Sequence, residues 1–277
     1  MDSALDAGDG DLPLLSAKEY GAPSLFDPAD LLRDTRHRRN LPESAIPRTA
    51  LLDPDGDIVR AVAGSGRGRR HPGWSCYHTD MWTIDLHGVA VGIVGMAVGA
   101  PFAVLVSEQL AASGAELVIS ITSAGHIVPL VNSPAFVLID RALRDEGTSS
   151  HYLPPDRWSH LDDTVRRRLT GASDPLTGRL QAVSSWTTDA PYRETAAAIA
   201  AAAAEGVACV EMEAAALYAY ATARQRRVVC LAHLTNTPAA DTDGGDAPPL
   251  GFDKGADHGV HEALSLVRAI AVSLDAG

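Results

Sequence analysis

From Thr49 onward, short β-rich runs alternate with helix-patterned segments. The runs "TALLD" (49–53), "WTIDLHGVAVGIVGM" (82–96), "ELVISITS" (116–123), "AFVLIDRAL" (135–143) and "RVVCLAHLT" (227–235) have the apolar, β-branched character of buried strands. "PFAVLVSEQLAAS" (101–113), "TAAAIAAAAAEG" (195–206) and "HGVHEALSLVRAIAVSL" (258–274) read as helices. Ala196 to Ala204 is a helix rather than a low-complexity tract, because alanine is the strongest helix former and Gly206 supplies a stop. Strands alternating with helices predict an α/β sheet buried on both faces. Residues 1–47 mix acidic, proline and apolar residues without sustained periodicity and include "LLRDTRHRRN". They are expected to form a partly ordered arm ahead of a single domain over 48–277. "SGRGRRHPGWS" (65–75) and "TPAADTDGGDAPPLG" (237–251) are the long punctuated loops, of a length often used for lids or binding.

Composition narrows the functional classes. A chain of 277 residues with 46% hydrophobic and 21% charged content can bury a full core, which excludes disordered and fibrous readings. Its net charge of −12 argues against broad attraction to nucleic acid or an anionic membrane, both negative themselves, and favours a small-molecule substrate. Cys76, Cys209 and Cys230 show no CxxC or Cys/His spacing, so no metal is expected, and "MDSALDAGDGD" lacks a signal peptide's basic start; the expected location is cytoplasmic. Gly88 to Val106 is uncharged over about a bilayer's span, but its glycines and Pro101 fit a strand, a turn and a helix start better.

The stretch "VACVEMEAAA" (207–216) sets two glutamates around one methionine where a strand-like run meets an alanine-rich helix. If both lie on a strand, Glu211 and Glu213 share a face about 6 to 7 Å apart and can present two carboxylates to one sugar-sized ligand. A carboxylate accepts from both hydroxyls of a vicinal diol, and its charge favours an oxocarbenium-like transition state. Alternatively Glu213 only complements the N-terminal end of the following helix, Glu211 is solvated and Met212 fills core.

The surrounding motifs carry a resemblance. "VEMEAAAL" (210–217), together with "VGAP" (98–101), "SAGHI" (123–127), "RDEGTSSHYLPP" (144–155) and "WTTDAPYRET" (186–195), resembles the superfamily of nucleoside phosphorylases and nucleosidases that includes uridine and purine phosphorylases. The likeness runs from Leu51 to the C-terminus, and the last two motifs look like a branch of their own. It implies a three-layer αβα fold with a central mixed, partly barrel-like sheet, and cleavage of a nucleoside N-glycosidic bond by phosphate, giving free base and pentose 1-phosphate. No cofactor beyond phosphate as co-substrate is implied. A homo-oligomer, a dimer or a trimer of dimers, is.

Carried over residue by residue, Glu213 would hold the ribose hydroxyls, Met212 would pack on the sugar and Glu211 would brace the site. Gly99 and Ser123 would touch phosphate. Pro54 and Ile58 stand where the family's first glycine turn and its arginine are expected, and Ser120 stands where a second arginine is. Arg70, in the basic loop with Arg67 and Arg69, is the candidate replacement, although such a loop is also an ordinary solvated turn. At the base end, Asn236 occupies the position of a purine enzyme's aspartate and would donate to the base, with Thr237 beside it; a plain turn before Pro238 is the alternative. Pro191 replaces an aromatic, leaving Tyr192, Arg193 and Glu194 as candidate base contacts, unless Tyr192 is core and Glu194 starts a helix. His78 or Tyr77 would reach a neighbouring subunit's site, while His126, His151 and His233 read as structural. The missing arginines keep a hydrolytic nucleosidase open, and with Pro191 and Asn236 also a catalytically silent nucleoside-binding protein. The glutamate spacing alone would also allow a two-carboxylate glycoside hydrolase.

Overall fold

A computed structural model describes residues 13–16, 18–131, 135–171, 176, 179–236 and 259–275. The expected loop over 237–251 lies outside the described residues. The strands are β1 (Thr49–Asp53), β2 (Arg69–Arg70), β3 (Met81–Asp85), β4 (Ala90–Gly95), β5 (Leu117–His126), β6 (Phe136–Asp145), β7 (Trp158–His160), β8 (Gln181–Thr188), β9 (Val207–Glu211) and β10 (Arg227–Asn236). The helices are α1 (Pro28–Arg38), α2 (Asp57–Gly64), α3 (Ala100–Ala112), α4 (Asp163–Thr170), α5 (Ala196–Ala204), α6 (Ala214–Arg224) and α7 (Val260–Asp275).

The strands form one mixed sheet in the order β10, β6, β8, β9, β5, β1, β4, β3, β2, with β7 added to β6. Because β10 also pairs in parallel with β5, the ring β5–β10–β6–β8–β9 closes into a five-stranded barrel, and β1 to β4 extend from it as an open wing. Closure satisfies every edge of the ring. Helices α1, α3 and α6 pack together, as do α2, α4 and α7, giving the layers the alternating pattern predicted. The Gly88 to Val106 run divides between β4, a turn and α3, and no helix among the described residues is long and apolar enough to cross a membrane.

Helix α6 explains the alanines after "VEME". Residues Ala214 to Tyr220 are all buried, so the helix is apolar all round, and small side chains let it lie close to α3 and the barrel strands. Gln225 closes it in a left-handed conformation (φ 52°). From this helix the Tyr218 hydroxyl donates to the Ile139 carbonyl on β6 and accepts from the Cys230 amide on β10 (3.1 Å).

Part of the 1–47 stretch is built into the fold. Asp27 caps α1 by accepting from the Ala29 amide (2.7 Å), Pro28 stands in its first turn, and Leu32 and Thr35 are buried. The absence of sustained periodicity concealed this helix, because only a narrow stripe of it is buried. The Asp-Pro start was the available signal.

Tyr218→Phe leaves a carbonyl and an amide inside the barrel without their side-chain partner. Urea unfolding of this variant is expected to show a loss of about 1–3 kcal/mol with an unchanged m-value.

Candidate active site

Strand β9 ends at Glu211, and the chain turns through Met212 and Glu213 into α6 with Glu213 as the N-cap (φ −132°, ψ −36°). The two carboxylates therefore do not share a strand face, which corrects the expectation of a matched pair presented to one ligand. Glu211 turns into the protein. Its Oε1 accepts from the Ser185 and Thr187 hydroxyls of β8, and its Oε2 accepts from the Glu213 and Ala214 amides at 2.7 Å each. Thr187 also accepts from the Ala215 amide (2.9 Å), so one buried carboxylate ties β8, β9 and the otherwise unsatisfied N-terminal amides of α6 together. Glu211 is not solvated, and it braces the site rather than facing a ligand.

Glu213 is 2% exposed, with Oε1 accepting from the Gly99 amide (2.7 Å) and Oε2 without a hydrogen-bond partner. Gly99 is the left-handed turn (φ 86°) that starts α3, so the "VGAP" and "VEME" motifs meet through this bond. Burial, reinforced by the negative charge of Glu211, pushes the Glu213 pKa up to about 8 against the opposing pull of Gly99 and Thr122. Burial raises Glu211 as well, while its hydrogen bonds from Thr187, Ala214, Glu213 and Ser185 oppose the rise. A buried carboxyl with one anchored and one unsatisfied oxygen is unusual enough in a native fold to point to a role. Because it is closed off, a sugar reaches Oε2 only when the groups over it move.

The residues expected to hold phosphate are each engaged by a carboxylate of the chain itself. The Gly99 amide is engaged by Glu213, and Ser123 is engaged by Asp55, whose two carboxylate oxygens accept from the Ser123 amide and hydroxyl at 3.0 Å each. Arg70 sits on the wing's edge strand β2, ion-paired to Asp80, four strands away from β5. Ser120, at the position of the absent arginine, has a buried hydroxyl without a partner. Asp55 was missed in the sequence, where "DPDGD" reads as an ordinary turn after β1. Its neighbour Asp53 caps the start of α2 through the Gly56 (3.1 Å) and Val59 (2.8 Å) amides, and burial raises its pKa to about 6. A space of about 10 Å³ beside Asp53, Asp55, Thr122 and His233 is room for one water at most.

At the base end, Gly125 of β5 is paired with Val210 on β9 and with Asn236 on β10, so the last residues of the two strands flank the same point. The "RDEGTSSHYLPP" and "WTTDAPYRET" segments are fastened to each other: Trp186 donates to Asp145 (2.9 Å), the Gly147 amide donates to Asp189 (2.9 Å), and Arg144 holds the Ser149 hydroxyl and the Pro154 carbonyl at 2.8 Å each. Pro191 to Arg193 form a single 3-10 turn beyond β8. Tyr192 is 99% exposed, which rules out a core role, and Arg193 is exposed too. Thr195, not Glu194, caps α5 by accepting from the Ala198 amide. His78 lies edge-on to Phe102 in the first turn of its own α3, with ring centroids 6.0 Å apart. His151 contacts Lys18 (3.0 Å), and His233 stacks on Phe136 (4.4 Å), both structural arrangements.

The model of the phosphorylase superfamily matches residues 51–271, and the chain belongs to that superfamily, the group its motifs resemble. Among curated proteins, the uridine phosphorylase of Thermococcus kodakarensis is 28% identical over 148 residues, 50% of this chain and 53% of that protein. The chain thus spans about half the length of this curated relative. Among solved structures, the AMP nucleosidase of Bacteroides thetaiotaomicron superposes with a TM-score of 0.62 at 18% identity, covering 83% of this chain and 89% of that one, which shows a shared fold.

Two stability outcomes follow from the buried carboxyls. Glu211→Gln turns one acceptor oxygen into a donor facing donors, and is expected to cost about 2–4 kcal/mol in chemical denaturation. The raised acids bind more protons folded than unfolded, so their stabilisation is complete below the unfolded values, 3.8 for Asp53 and 4.5 for Glu213, and is lost as pH rises through about 6 and about 8 respectively. Thermal melts between pH 5 and 9 are expected to show this decline, and Glu213→Gln to flatten its upper part.

Proposed function

We propose that the chain cleaves the N-glycosidic bond of a nucleoside with water as the acceptor, releasing free base and free pentose. The supporting observation is Asp55: a carboxylate of the chain itself engages both donors of Ser123 that a phosphate would need, at 3.0 Å each. A fixed negative charge there repels an incoming dianion, whereas water needs no anion cage. In this reaction the C1′–N bond breaks with its electron pair going to the base, and Glu213 holds the sugar hydroxyls and steadies positive character at C1′. Water adds to C1′ and its proton passes to Asp55, which leaves Ser123 to receive it and then gives the proton up through solvent to the departed base anion, restoring the carboxylate. Asn236, at the end of β10, is our candidate to hydrogen-bond the departing base, with Pro191 and Met212 as apolar contacts. This chemistry calls for no cofactor.

Phosphorolysis is the second reading, favoured by the name of the archaeal relative. It needs cations from outside this chain, and Arg70 on the edge strand, with His78, could serve a neighbouring copy in a homo-oligomer.

Incubation with a purine and pyrimidine nucleoside panel, with and without phosphate, followed by mass analysis of the sugar, separates these outcomes. Free pentose at a phosphate-independent rate is expected; pentose 1-phosphate overturns hydrolysis, and binding without turnover indicates a silent homologue. Glu213→Gln is expected to lower kcat/KM by about 10²-fold or more, and Asp55→Asn to lower kcat by about 10²-fold with KM little changed.

A further inference from the structure

A cleft of about 750 Å³ opens between α2 and α7, roofed by the turn that joins β3 to β4. Its apolar surface comes from Leu86, Leu264 and Val272, and its cations are Arg67, Arg179 and Arg268. The acids nearby offset only one of these. Asp57 is ion-paired to Arg60 (2.5 Å) and Glu262 to Arg179 (2.8 Å), while Arg67 makes no ion pair among the described residues and Arg268 uses its Nε–H on the Leu86 carbonyl (3.1 Å). Local positive charge beside an apolar surface is notable on a chain of net charge −12.

The turn above the cleft adds an independent observation. Leu86 and Val89 exchange backbone hydrogen bonds, so His87 and Gly88 form a two-residue hairpin loop with φ 54° and 88°. Asn, Asp or Gly most often take the first of these positions, and His is among the residues that tolerate a positive φ. His87 takes it here and lines the cleft, which adds a donor beside the guanidinium groups.

We propose that this cleft is a second binding site, separate from the Glu213 site, for an organic anion that joins a phosphate, sulfonate or carboxylate to an apolar body. The volume exceeds what a lone inorganic ion fills, and the guanidinium fork suits oxyanions. Because α2 starts two residues after Asp55, an occupant would press on the helix whose N-terminal turn carries the acidic loop.

The test titrates the full chain with 1-anilinonaphthalene-8-sulfonate, an aromatic sulfonate unlike a nucleoside, following fluorescence and calorimetry. Saturable 1:1 binding is expected. It should weaken at least tenfold in Arg67→Ala and further in Arg67→Ala/Arg268→Ala, both exposed positions, and stay unchanged in Glu213→Gln. Equal affinity in the arginine variants, absence of saturable binding, or binding that vanishes as self-association rises with protein concentration overturns the proposal. Failure here leaves the nucleoside reaction untouched, since its assay reads sugar release and not occupancy of this cleft.

Discussion

The buried carboxylate of Glu211 is the constraint around which the candidate site is built. Four donors from two elements close on it, two hydroxyls from β8 and two amides from the first turn of α6. A carboxylate of this kind is costly to bury, and the neutral isostere Gln would keep one acceptor while setting its NH2 against two of the donors. The barrel edge, the helix start and the turn between them are thereby held in one geometry. Glu213 is placed by that geometry rather than by its own contacts, of which the Gly99 bond is the anchor.

The same charge shapes the chemistry next door. Two carboxyls that close, both out of water, do not ionise independently, and burial pushes both upward. Glu213 has one anchored oxygen and one without a partner, and on the proposed reading sugar hydroxyls approaching it would supply the donors that favour its charged form.

Much of this was legible in the chain. The apolar, β-branched runs located β1, β5, β6 and β10, the alanines located α5, and the motifs pointed to the superfamily. Other features were hidden for physical reasons. Helix α1 buries too narrow a stripe to show a period, and β2 is two residues long. The equal spacing of Glu211 and Glu213 suggested one face, because no local signal marks where a strand stops and a helix cap begins; β9 ends at Glu211 and the next two residues turn the second carboxylate elsewhere. Asp55 was hidden for a different reason. Its partner Ser123 lies 68 positions further along the chain, and only the parallel pairing of β1 with β5 brings them together.

The proposed choice of water over phosphate rests on charge rather than on resemblance. At an effective dielectric of about 20, unit charges about 4 Å apart interact by roughly 4 kcal/mol, so a dianion beside Asp55 meets a repulsion of about twice that. One arginine brought in from outside the chain would do little more than neutralise Asp55, leaving the phosphate without a cation of its own. A sugar ring gaining positive character meets the opposite balance, since every nearby fixed charge then attracts it. On the proposed reading, an acid-lined site that disfavours the phosphate ground state also favours the cationic transition state, which is the argument for water as the nucleophile.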